Sequence, residues 1–220
     1  VDALATLATR TALPFLTEAE REASLNRMLA DWDRQGPVWI FAYGSLIWHP
    51  EFEYDVKVRG TVYGFHRSLC LWSRIYRGTP ERPGLVLGLE PGGCCCGVAF
   101  RLPATQVFEE LKALWAREMT TGSYIPRWLD VRTQSQGVQA RFPAIGFVMN
   151  RHASGYAGEL ERSTLLETLR TARGQRGSSA EYLLSTVKCL SEYGIHDRHL
   201  AHLAEEISIV ATEPTSTFES

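Results

Sequence analysis

One glutamate stands where the hydrophobic pattern calls for an apolar residue. From Ala104 onward, Val107, Leu111, Leu114 and Trp115 recur at the i, i+3, i+4, i+7 spacing of a helix that buries one face, and the same spacing continued from Leu111 falls on Glu118. A carboxylate on a core-facing stripe loses hydration in its charged form. That loss raises its pKa toward the range in which it takes up and returns a proton near neutrality. The pattern fits two plainer arrangements equally: an ion pair with Arg117 or Arg127, or a helix end at which position 118 reaches solvent.

Other chemistries lack their residues. No GxxxxGK[ST] loop is present, and the three lysines, Lys57, Lys112 and Lys188, lie outside the glycine-rich turns, which excludes a P-loop phosphate cradle. GxGxxG is absent, and Ser45-Leu46-Ile47 does not complete the GxSxG of a nucleophile elbow. Cysteine chemistry is no better supported. Of five cysteines, Cys94, Cys95 and Cys96 are consecutive in a strand-like run, where neighbours point to opposite faces, so neither disulfides nor a cysteine zinc site is expected. His196, His199 and His202 drift around a helix at ~100° per residue rather than converge, and no HExxH occurs, so no metal is expected there either.

The elements that must position Glu118 follow from the same patterns. Thr17 and Glu20 form a capping box, after which Leu25, Met28, Leu29 and Trp32 predict a helix running until Gly36 and Pro37. Val38–Ala42 is a short apolar run typical of a buried strand, feeding the turn Tyr43-Gly44-Ser45-Leu46. Strand patterns follow at 58–72, 85–90, 94–101, 128–134 and 138–149, broken by Gly and Pro at 78–84 and 91–93. Helical patterns occupy 104–119 and 159–173, then restart at the Ser178/Glu181 capping box and continue to the C-terminal helix. Strands in the middle and helices at the ends, without βαβ alternation, predict an α+β fold with a mixed or antiparallel sheet.

At 220 residues the chain is expected to form one domain, with a helical extension at 1–36, a core at 37–213 and a flexible tail at 214–220. A net charge of -2, from 23 basic and 25 acidic residues, provides no field for a nucleic acid or an anionic membrane and leaves a small neutral or anionic ligand. No apolar run approaches the ~20 residues of a membrane span. With no secretory signal pattern at the start, a cytoplasmic protein is expected.

Three segments in order, Trp39 to Trp48 (WIFAYGSLIW), Arg77 to Gly84 (RGTPERPG) and Arg117-Glu118-Met119 with Gly122-Ser123-Tyr124, closely resemble the ChaC family of γ-glutamylcyclotransferases. The resemblance covers about residues 38 to 205. It implies a small closed β-barrel with flanking helices, and cleavage of γ-glutamyl compounds, characteristically glutathione, into 5-oxoproline and an amine without metal or organic cofactor. The family's catalytic glutamate falls on Glu118. Animal members read REKGGY where this chain has Arg-Glu-Met-Thr-Thr-Gly-Ser-Tyr, so the chain resembles the bacterial type.

The implied chemistry suits these residues. The substrate's α-amine attacks its own γ-carbonyl, so both reactants are tethered and no protein nucleophile is needed. A base must take the amine proton and an acid must protonate the departing nitrogen; Glu118 serves for both in turn. Backbone N–H groups of the turn at Tyr43, Gly44, Ser45 and Leu46 are candidates for the oxyanion or for the substrate α-carboxylate. Arg67, Arg74, Arg77 and Arg82 make the neighbouring segment basic, and Arg77 is a candidate for a substrate carboxylate. Tyr124 and Tyr182 are candidates for lining the pocket, with core packing the alternative. Two other functions fit the same residues: ring closure on other γ-glutamyl amino acids or amines, and a γ-glutamyl-binding module without turnover.

Overall fold

Val38–Ala42 (β1) is apolar along its whole length and buried at every position but Trp39, which is partly buried. It pairs antiparallel with Gly84–Leu102 (β3), setting Val38 opposite Leu102 and Ala42 opposite Val98, and parallel with Val138–Met149 (β5) through Ile40 and Ile145. With Val56–Ser73 (β2) and Tyr124–Ser135 (β4), the order β1-β3-β2-β4-β5 closes into a mixed five-stranded barrel, and β3 also meets β5 at Leu89 and Val148. Closure removes the unpaired edges an open sheet would expose. The protein is described here from a computed structural model covering residues 15–135 and 138–210. The first part of the expected N-terminal extension and the expected tail at 214–220 lie outside the described residues.

Of the sequence boundaries that shift, two have a local cause. The runs at 85–90 and 94–101 are one strand, because Gly92 and Gly93 adopt φ of 106° and 70°, a region open to glycine, and carry β3 past Pro91. His66 Nδ1 of β2 lies 3.0 Å from the Gly92 carbonyl oxygen. The first helix, α1 (Glu18–Met28), has both capping-box hydrogen bonds at Thr17 and Glu20 but stops short of Trp32. The competitor is local: Asp33 Oδ1 accepts from the Gln35 and Gly36 N–H groups at 2.9 and 3.1 Å, and the Trp32 indole donates to the Gly36 carbonyl at 3.0 Å.

Helix α2 (Val107–Glu118) buries Val107, Leu111, Leu114 and Trp115, the expected stripe. Trp115 packs edge-on against Phe147 of β5, with ring centroids 5.3 Å apart, and its indole donates to Ser24 Oγ of α1 at 3.3 Å. The exposed Trp128 of β4 donates to the Met28 carbonyl at 3.2 Å, pairing one of the carbonyls a helix end leaves without an internal partner.

By internal packing the chain divides into two compact units, residues 1–72 with 86–159 and residues 73–85 with 160–220. The first holds nearly all of the barrel with α1 and α2. The second holds α3 (Arg162–Thr171), the short strands β6 (Arg173–Gly174) and β7 (Gly177–Ser178), α4 (Ser179–Glu192) and α5 (Arg198–Val210). Ser179, fully buried at the start of α4, ties down the Arg77–Gly84 loop: its hydroxyl accepts from the Leu85 N–H at 3.0 Å and donates to the Arg77 carbonyl at 3.2 Å. Among the described residues no helix is long and apolar enough to cross a membrane.

All five cysteines are free thiols. Cys94 is exposed, whereas Cys70 is fully buried against Met149, and burial, reinforced by the Glu90 carboxylate, pushes its pKa up to about 12.

The β1–β3 register can be tested at Gly97. A Cβ there would lie 2.3 Å from the Ala42 carbonyl oxygen and 2.8 Å from Phe41 Cζ, closer than a Cβ approaches non-bonded atoms. Gly97→Ala should therefore lower the unfolding free energy by about 1 to 3 kcal/mol, the usual cost of overpacking. A urea midpoint that falls at unchanged slope is the expected reading; wild-type stability would contradict the register.

Candidate active site

The apolar run of β1 ends at Ala42, and the chain folds at once into a single 3-10 turn, Ser45–Ile47. The Ile47 N–H donates to the Gly44 carbonyl at 3.0 Å, and the Trp48 and His49 N–H groups donate to the Ser45 carbonyl at 3.2 and 2.8 Å. Tyr43, Gly44 and Leu46 are buried and Ser45 is half-buried. The Tyr43 hydroxyl donates to the Phe147 carbonyl at 2.7 Å. Phe147 lies on β5, which pairs parallel with β1, so this bond ties the turn after β1 to the neighbouring strand.

Glu118 is the last residue of α2, and Met119 caps the helix by donating its N–H to the Trp115 carbonyl at 2.9 Å. Of the two plainer arrangements allowed by the sequence, the ion pair occurs, with Oε1 3.0 Å from Arg117 Nε, and Glu118 does stand at the helix end. The helix end nevertheless does not deliver the carboxylate to bulk water, because its side chain is only 14% exposed. Arg117 reaches further, with Nη2 donating to Ser45 Oγ at 3.2 Å and Nη1 donating to Glu51 Oε2 at 2.7 Å and to the His49 carbonyl at 2.6 Å. One guanidinium thus joins Glu118 to the turn after β1. A carboxylate held this way, largely out of water, is an acceptor with a fixed direction.

The segment after Glu118 is equally fixed. The Thr120 hydroxyl donates to the Arg117 carbonyl at 2.9 Å, Gly122 takes φ of 63°, and Asn150 Nδ2 donates to the Gly122 carbonyl at 3.1 Å. Tyr124 opens β4 and is half-buried, packing against Cys70, Leu71 and Met149, while its hydroxyl donates to the Leu87 carbonyl at 2.9 Å. Its packing role is thereby plain.

In the second unit the Arg77 guanidinium lies 5.5 Å from the ring centroid of Tyr182, a buried residue of α4. Burial lowers the Arg77 pKa from its ordinary value, opposed by Tyr182 and Glu181. Arg82 is exposed in the loop and Arg74 is half-buried. Arg67 does not belong to that basic segment: it is buried in β2, where Nη2 bonds the Cys96 carbonyl oxygen.

Three residues escape the sequence reading: His49 and Glu51, which Arg117 links to Glu118, and Asn150, which holds the segment after it. They lie in connections, where no periodicity marks a position. A second buried carboxylate, Glu90, was missed for a related reason, since it sits on a strand buried on both faces; the Tyr156 hydroxyl donates to it at 2.6 Å and Arg151 Nε lies 3.6 Å away. His196, His199 and His202 are all exposed, and His202 Nε2 lies 3.0 Å from Glu206.

The ChaC-like protein family model matches residues 38–210. The chain is 37% identical over 199 residues to the glutathione-specific gamma-glutamylcyclotransferase of Escherichia coli K12, covering 88% of this chain and 83% of that protein. It is 32% identical over 174 residues to human glutathione-specific gamma-glutamylcyclotransferase 1, covering 77% and 78% of the two chains. A crystal structure of a yeast gamma-glutamyl cyclotransferase specific to glutathione aligns with a TM-score of 0.73 over 79% of this chain and 96% of that one; at 19% identity the likeness is one of fold.

The Tyr43 hydrogen bond carries its own test. Tyr43→Phe leaves the buried Phe147 carbonyl without this donor, which should cost about 1 to 3 kcal/mol of stability. Chemical denaturation measures it, and an unchanged unfolding free energy would show that another group satisfies that carbonyl.

Proposed function

The chain belongs to the ChaC-like family, and from that membership we propose that it is a glutathione-specific γ-glutamylcyclotransferase, a lyase releasing 5-oxoproline and Cys-Gly. The observation that carries the reading is the Glu118 carboxylate, mostly out of water and tied through Arg117 to Ser45 in the turn after β1.

The reaction joins two atoms of one molecule. The α-amine nitrogen forms a bond to the γ-carbonyl carbon, the bond from that carbon to the cysteine nitrogen breaks, and the two protons that the α-ammonium loses on becoming the lactam N–H pass to the departing nitrogen, which leaves as the Cys-Gly ammonium. Because an α-amine with a pKa of about 8 is mostly protonated at neutral pH, a base must act before attack. Glu118 takes that proton. It returns that proton to the departing nitrogen and relays the second, shed by the ring nitrogen after attack, by the same route, so a single carboxylate ends the cycle as it began. The turn at Tyr43, Gly44, Ser45 and Leu46 holds the γ-glutamyl end through backbone N–H groups, and holding the chain curled supplies much of the acceleration for a tethered reaction.

Tyr124 contributes a wall rather than a hydroxyl, consistent with its bond to Leu87. For Arg77 the assignment to a substrate carboxylate is supported by the sequence motif and by a partly desolvated guanidinium, and Tyr182, stacked on it, is assigned to the pocket lining. The five free thiols suit a reducing compartment such as the cytoplasm.

Glu118→Gln keeps the size and a hydrogen-bonding oxygen of the side chain but cannot carry the proton. The variant should stay folded by circular dichroism and lose at least about 10²-fold in kcat for 5-oxoproline formation from glutathione, with KM changing much less. Turnover within a few-fold of wild type would remove Glu118 from the mechanism. Activity should also survive EDTA treatment; a complete, metal-reversible loss would overturn the metal-free chemistry.

A further inference from the structure

We propose that Glu51 and Arg117 are positioning residues for the reaction, a clamp that aims the Glu118 carboxylate and fixes it relative to the turn at Ser45; the inference rests on Glu118 being the proton carrier.

Adjacent residues on a helix point about 100° apart, so Arg117 and Glu118 do not face each other by default. Arg117 Nε nevertheless meets Glu118 Oε1 at 3.0 Å, and acceptors outside the helix direct the guanidinium there. All three of its nitrogens are engaged: Nε on Glu118, Nη1 on Glu51 Oε2 and the His49 carbonyl, and Nη2 on Ser45 Oγ. Glu51 is the one charged group among the acceptors outside α2, and it is itself held at both oxygens, since His49 Nε2 lies 2.7 Å from Oε1. Its backbone adopts φ of 54°, a left-handed conformation that non-glycine residues rarely take. Glycine would occupy that conformation more easily, so what glutamate adds there is its side chain, and the guanidinium is what it holds.

A planar fork is essential to this arrangement. A lysine ammonium at 117 carries the same charge but cannot span acceptors on two sides. Misdirecting a catalytic group by a fraction of an ångström lowers turnover more than it weakens binding, because the substrate's own contacts are untouched.

Glu51→Gly separates the clamp from folding. It removes the carboxylate while relieving the left-handed backbone, so the melting temperature should hold or rise while kcat for glutathione falls about tenfold or more, with KM within about threefold. Glu51→Gln, which keeps the backbone preference and one acceptor oxygen, should lose less than Glu51→Gly, and Arg117→Lys should lose at least as much. Wild-type kcat in both Glu51 variants, or a loss confined to KM, would overturn the clamp. Glu118→Gln measured alongside separates the two claims: if it is inactive while the Glu51 variants turn over normally, only the clamp fails, whereas normal turnover in Glu118→Gln overturns both.

Discussion

A closed barrel must pair its backbone from within, and here the seam is closed by a strand of five residues. β1 bonds β3 on one side and β5 on the other, so it has no freedom to slide, and a slip of one residue would turn Ile40 and Ala42 to the wrong face. Whatever follows β1 is therefore placed as firmly as the barrel itself. The turn at Tyr43 to Leu46 inherits that placement, and Tyr43 strengthens it by donating to the Phe147 carbonyl of β5. The crowding at Gly97 is the other side of the same constraint: the strands approach so closely that Ala42 leaves no room for a side chain.

The second fixed point is electrostatic. Arg117 presents one positive charge to two carboxylates, Glu118, which like Arg117 is largely withdrawn from water, and the exposed Glu51. Such a cluster is held by geometry as much as by charge, since a buried ion left without its partner costs more than the pair contributes. Helix α2 anchors one end through Trp115, which is wedged between Ser24 and Phe147, and the segment 49–51 anchors the other.

The sequence carried part of this arrangement openly. The stripe ending at Glu118 is periodic, so a polar residue on it stands out, and the capping boxes at Thr17 and Ser178 are local signals that the structure reproduces at the same residues. The helix boundary at Met28 was hidden because the competing Asp33 turn is a side-chain event that hydrophobic spacing does not register. Likewise Pro91-Gly92-Gly93 reads as a stop, and only the positive φ of the two glycines shows how a strand continues through it. Glu51 had no legible signal at all: its importance comes from Arg117, which lies 66 positions away along the chain. The barrel's closure was expected from the family resemblance and not from composition or spacing.

The proposed substrate is a thiol, and wherever that thiol oxidises its disulfide accumulates beside an enzyme with five reduced cysteines. Exchange requires a thiolate, and burial beside the Glu90 carboxylate pushes the Cys70 pKa up to about 12, which keeps the thiol protonated at neutral pH. Its burial against Met149 and Glu90 therefore does more than fill the barrel wall: it keeps the thiol beneath Tyr124 from forming a mixed disulfide with the oxidised form of the molecule being degraded.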